Sequence, residues 1–139
     1  MWEWYRIGLS LGLGIAIGLL LCGLIAPRRA LLAVVALAAA AAGFGVGWLI
    51  GGWHEAIAGA AGGVLSTLVV GPVASRTLEG GGTRSGNAVI FLVAAFVSAG
   101  LALVPFLGYL EVVAVPALAA RARRRRPARY AGLRTLARD

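Results

Sequence analysis

The chain has 139 residues, of which 60% are hydrophobic and 13% charged, with a mean hydropathy of +0.91 and a formal net charge of +8. It is far more apolar and about half as charged as an ordinary soluble domain, which excludes a water-soluble globule and predicts an all-α integral membrane bundle whose solvent is lipid. All 13 basic residues are arginine, so there is no lysine for a Schiff base or a phosphate-binding loop, and Cys22 has no second cysteine with which to form a disulfide or a metal pair; no cofactor is expected.

The first predicted segment spans about 7–26, uncharged and at ~1.5 Å per residue long enough to cross ~30 Å of hydrocarbon. Trp2, Trp4 and Tyr5 stand before it as an interfacial belt, and Pro27-Arg28-Arg29 ends it. Glu3 in the leading stretch and Pro27 after the only suitable cut argue against a cleaved signal peptide. Leu21, where a lipid-attachment signal before Cys22 needs a small residue, argues against lipidation.

Segment two covers 30–50, with Trp48 and Trp53 at interfacial depth. Segment three covers 56–74, followed by Ser75 to Asn87, whose polar and glycine content reads as a solvated, flexible connector. The apolar run 88–120 is too long for one perpendicular crossing, and Pro105-Phe106-Leu107-Gly108 is the natural break, with proline removing a donor and Gly108 permitting turn dihedrals. Segments four and five are then 88–104 and 106–120, four full spans plus a short fifth, the last two forming a helical hairpin.

Eight of the arginines lie in 121–139, against five before them. Arginine-rich loops stay cytoplasmic, and with five crossings Arg28, Arg29, Arg76, Arg84 and the tail share that side while only Arg6 lies opposite. That predicts the amino terminus outside and the carboxyl terminus inside. The tail, with Arg121, Arg123, Arg124, Arg125, Arg126 and Arg129 ahead of Tyr130, Leu133 and Leu136 at helical spacing, is expected to lie amphipathically on anionic headgroups; an acidic cytoplasmic partner is the alternative, and nucleic acid is not expected, since an arginine run carries no sequence readout.

Small residues recur every fourth position: Gly43, Gly47 and Gly51 in segment two, Gly59, Gly63, Thr67 and Gly71 in segment three, Gly8/Gly12 and Gly14/Gly18 in segment one, and Ala94, Ser98 and Ala102 in segment four. In lipid such stripes let backbones approach closely, so they are contact faces, within one chain first and between copies second. Their abundance points towards a homo-oligomer or a subunit of a membrane complex.

Glu111 is the one acidic residue inside an apolar segment and so a candidate ion or proton site, although the five-segment topology places it in the first turn of a helix near the outer surface, within reach of water. His54-Glu55 resembles the start of a zinc-protease motif until Ala58 takes the second histidine's place, and one histidine cannot build a metal site alone. Glu55 shares the spacing of Gly59 and Gly63 and could face a neighbouring helix. Gly80 to Gly86 lacks the lysine and strand of a phosphate cradle, and Ser10, Ser66, Ser75, Ser85 and Ser98 have no histidine close by in sequence. The expectation is therefore a non-enzymatic membrane scaffold or accessory subunit. The alternative is a small homo-oligomeric channel or transporter with Glu111 on its path.

Overall fold

Long uncharged runs of leucine, alanine, valine and isoleucine satisfy their own backbone groups only as helices. The computed structural model describes residues 2–26 and 29–124. Among them it has no strand and five α-helices: α1 Trp2–Ile25, α2 Arg29–Ile50, α3 Trp53–Glu79, α4 Arg84–Ala102 and α5 Leu107–Arg124. The first four are long and apolar enough to cross a membrane.

Several boundaries differ from the sequence expectation. Trp2, Trp4 and Tyr5 form the first turn of α1 rather than a belt ahead of it. The connector expected over Ser75 to Asn87 shrinks to Gly80–Thr83, because helix extends into it from both sides. On the α3 side, the hydroxyls of Ser75 and Thr77 donate to the carbonyls of Pro72 and Ala74 at 3.2 and 2.6 Å, a local bond that polar side chains make without leaving the helix. On the α4 side, Thr83 is an N-cap whose hydroxyl accepts from the Gly86 amide at 3.1 Å. The turn between α4 and α5 also differs: Phe106, at φ 69°, carries the left-handed conformation that Gly108 was expected to supply. Gly108 lies inside α5 and has a packing role instead. Residues 125–139, with Arg125, Arg126 and Arg129, lie outside the described residues; Arg121, Arg123 and Arg124 continue α5.

Successive helices reverse direction, so α1, α3 and α5 run together and α2 and α4 oppose them. One end of the bundle collects Trp2, Trp4, Trp48 and Trp53; the other collects Arg76, Arg84, Arg121, Arg123 and Arg124. The tryptophan end is tied by side-chain to backbone bonds, Tyr5 donating to Leu103 O at 2.9 Å and Tyr109 to Trp4 O at 2.6 Å. At the other end Asn87 donates to Gly23 O at 3.5 Å, and its Oδ1 lies 2.5 Å from the Thr77 hydroxyl oxygen, joining α4 to α1 and α3.

At the centre α1 and α3 pack along their lengths, with α2 against α3, α4 against α1, and α5 laid on both central helices. Glycine makes this possible. Gly59 of α3 lies between Gly14 of α1 and Gly43 of α2, so close that a Cβ on Gly14 or Gly43 would run into the Gly59 carbonyl, and one on Gly59 into the Gly43 carbonyl. Gly63 abuts the Ala39 carbonyl, Gly47 the Glu55 carbonyl and Gly62 the Leu11 carbonyl. Gly18 faces Ser66, Gly12 faces Ala102, and Gly71 is buried. Below these contacts a larger-residue core forms from Ile15, Leu19, Cys22, Val70, Ala74, Phe91 and Ala95.

Gly45 offers the control, because it has the same helical backbone with nothing near its missing side chain. Gly45→Ala should leave stability unchanged or raise it by up to about 1 kcal/mol through helix propensity. Gly59→Ala, which forces α2 away from α3, should lower it by roughly 1–3 kcal/mol. Denaturant unfolding in detergent checks the opposite signs.

Candidate functional site

Two buried acidic groups organise the polar interior, and each is reached from a different helix. Glu55, in the first turn of α3, is 5% exposed, and its Oε1 lies 3.3 Å from Arg6 Nε of α1. Gly51, the last member of the α2 stripe, faces both: a Cβ there would strike the Arg6 guanidinium and the Glu55 carboxylate. Absence of a side chain at 51 therefore makes room for an ion pair between helices. Glu55 does face a neighbour, α1. His54, beside it in sequence, is exposed.

Glu111 is the second. It is the fifth residue of α5, one turn further in than expected, and it is buried at 5% exposure rather than open to water. The burial follows from register. Gly108 fits against the Gly8 carbonyl and Tyr109 against Gly8 itself, which sets α5 directly on α1 and carries the next turn of α5 onto Gly12. A Cβ on Gly12 would stand 3.4 Å from Glu111 Oε2. Gly12 is the eleventh of the 24 residues of α1, so the carboxylate lies near that helix's midpoint, ~9 Å further in than Arg6.

Ser98, on the inward face of α4 between Ala94 and Ala102, donates to Glu111 Oε2 at 2.5 Å. Glu111 Oε1 is buried without a hydrogen-bond partner among the described residues. Both residues line a cleft of about 320 Å³ that is otherwise apolar, walled by Leu19 of α1, Val70 and Val73 of α3, Ala94, Val97 and Leu101 of α4, and Ala114, Val115, Leu118, Ala119 and Ala122 of α5. It exists because α4 packs on α1 and has little contact with α3 or α5, leaving a gap that α5 roofs only partly. Chemically the arrangement offers one carboxylate oxygen held by a hydroxyl and one available to a donor or a proton.

Ser66, Thr67 and the cysteine make local contacts, whereas the buried Ser10 hydroxyl has no hydrogen-bond partner among the described residues. Ser66 and Thr67 donate to Gly63 O at 3.2 and 2.8 Å, and the Cys22 thiol points at Thr67 O, 3.9 Å away. Ser10 is fully buried. Of the arginines expected to meet headgroups, Arg123 turns back and donates to Val69 O of α3 at 2.7 Å.

No known family matches this chain, and neither a curated protein nor a solved structure matches it. The site therefore stands on its own geometry. Sequence reasoning singled out Glu111 but read Ser98 only as a packing residue, and it missed the Arg6–Glu55 pair. A signal for the pair was present: five alternating segments put residues 6 and 55 at the same end, and they carry opposite charges.

Breaking a buried pair strands a charge, whereas removing both partners does not. With Arg6 partly exposed, Arg6→Ala should destabilise by roughly 2–3 kcal/mol, at or below the low end of the range for fully buried pairs. Adding Glu55→Ala should recover on the order of 1 kcal/mol. A double-mutant cycle from thermal unfolding measures it; purely additive losses would show that the two side chains are uncoupled.

Proposed function

We propose that the chain is an integral membrane protein of five crossings that works by binding rather than catalysis, as a scaffold or accessory subunit. Its amino terminus is outside, its carboxyl terminus cytoplasmic, and its arginine-rich tail rests on anionic headgroups. Alternation of the helices supports the orientation, because it gathers tryptophans at one end and arginines at the other, as interfacial anchoring and the cytoplasmic preference of arginine require. The apolar part of α5, 107–120, reaches ~21 Å, a short crossing, and the long arginine side chains that follow it can extend to the headgroups.

The observation that carries the binding role is the division of labour among helices. Over their most apolar stretches the central α1 and α3 are 56% and 50% buried and α2 and α4 only 28% each, so the outer pair presents the broad free faces. Glycine stripes are occupied inside the chain, which moves the expected partner surface from Gly43, Gly47 and Gly51 to the outward sides of α2, around Val34 and Leu37, and of α4, around Val93 and Phe96. A channel or transporter with Glu111 on its path is the second reading, favoured by the buried, unpartnered Glu111 Oε1 beside a cleft that Glu111 helps to line.

Single cysteines in a Cys22→Ala background test the orientation. An impermeant thiol reagent should label His54→Cys on intact cells and Ser85→Cys only after permeabilisation, and the reverse pattern would overturn it. Both positions are exposed and lie at opposite ends of the bundle.

A photo-cross-linking residue at Val34 or Phe96 tests the binding role. Capture of a second copy or another membrane protein in the native membrane is expected, while adducts to lipid alone would remove the scaffold reading.

A further inference from the structure

The cleft beside Glu111 is elongated and open on one side. Its lining on α5 runs from Glu111 to Ala122, eleven residues or ~16 Å along the helix, towards the arginine end. Leu19 and Val70 form its buried floor, whereas Val97 and Leu118 on its rims are 56% and 65% exposed, so it opens outwards between α4 and α5. The result is an apolar trough with a carboxylate at one end.

That carboxylate is incompletely satisfied. Ser98 holds Oε2, while Oε1 is buried and without a donor. Two arginines with visible partners are engaged elsewhere, Arg6 with Glu55 and Arg123 with Val69. A buried carboxylate oxygen without a donor is costly, and an ionised carboxylate can only accept, so the complementary ligand brings both an N–H and a positive charge. The rest of the trough favours hydrocarbon.

We propose that the trough binds a hydrophobic primary amine, its ammonium donating to Glu111 Oε1 and its single apolar chain lying along α5 between the α4 rim and the floor formed by Leu19 and Val70. The assignment rests on the membrane reading, under which the open side faces the hydrocarbon of the bilayer. A molecule entering there arrives already partitioned into lipid, which selects an amphiphile over a hydrophilic cation. At about 320 Å³ the trough is at the small end of ligand sites, ~300–1,000 Å³, which suits one chain better than a two-chain lipid.

The test uses the full chain in lipid nanodiscs, with bound ligand counted by native mass spectrometry. The probes are decylammonium, decanol and decanoate, which share a tail and differ in head. Decylammonium should bind saturably, one per chain, and about tenfold or more tighter than decanol, with decanoate weakest. Glu111→Gln should weaken decylammonium by about tenfold or more and leave decanol unchanged. Ala114→Trp fills the trough from an exposed lining position, keeps Glu111, and should abolish binding of both. Equal affinity for decanol and decylammonium, undiminished binding by Glu111→Gln, or a phospholipid chain that decylammonium fails to displace would each overturn the proposal. If Glu111→Gln does not fold, as judged by circular dichroism, the three-probe comparison and Ala114→Trp still decide. Failure of the membrane reading would show separately and earlier, as a protein that stays in water without detergent and does not enter nanodiscs.

Discussion

Three helices meet at one glycine. Gly59 of α3 touches Gly14 of α1 and Gly43 of α2, and with no side chain at any of the three positions the backbones come close enough for carbonyl oxygens to occupy the space a Cβ would need. This contact has to be steric. In a bilayer, as proposed for this chain, leucine on leucine adds little over leucine on lipid, so dispersion at short range and shape fit carry much of the association. Gly62 and Gly63 then direct neighbouring edges of the same helix at Leu11 and Ala39, which makes α3 the element on which α1 and α2 are mutually aligned.

Close packing at the centre determines where polar groups can live. Gly51 continues the α2 stripe to the tryptophan end, where the space left by its missing side chain is taken by Arg6 and Glu55 instead of a backbone. Small-residue spacing thus serves two purposes along α2 and the turn after it, steric contact at Gly43 and Gly47 and accommodation of an ion pair at Gly51. Away from the stripes the chain returns to ordinary core residues, with Ile15, Leu19 and Phe91 filling the spaces between diverging helices. Where α4 and α5 diverge and no large side chain closes the gap, the cleft remains.

Much of the architecture was legible because its signals are local. Uncharged runs of crossing length, a proline-containing break near residue 105 and the arginine imbalance are enough to read five helices in alternation. The ends were less legible. Trp2 to Arg6, Ser75 to Glu79 and Arg84 to Asn87 look like interface or loop by composition, yet each is helical, since a helix continues into water as long as its polar side chains bond locally or are capped, as Ser75, Thr77 and Thr83 do. Phe106 in the left-handed region could not have been anticipated beside Gly108, because the nearby glycine is required for its approach to Gly8 rather than for its dihedrals. Site geometry was hidden for the same reason: Ser98 and Glu111 are thirteen residues apart across a turn, and only the packing of α4 and α5 on α1 brings them together.

The depth of Glu111 follows from this packing and not from its place in the sequence. Counted from the break at Pro105, the residue is near a helix start, where a carboxylate would meet favourable backbone amides and water. Gly8 and Gly12, however, are one turn apart on α1, and α5 runs in the same direction, so seating Gly108 on Gly8 delivers Glu111 to Gly12. The stripe that reads as a contact face is therefore also what carries the acidic group inward. Ser98 meets it there because Ala102, one turn along α4, has packed on the same Gly12. Two glycines one turn apart on α1 thus fix the positions of two helices, and the polar pair between them is a consequence of how closely both approach α1.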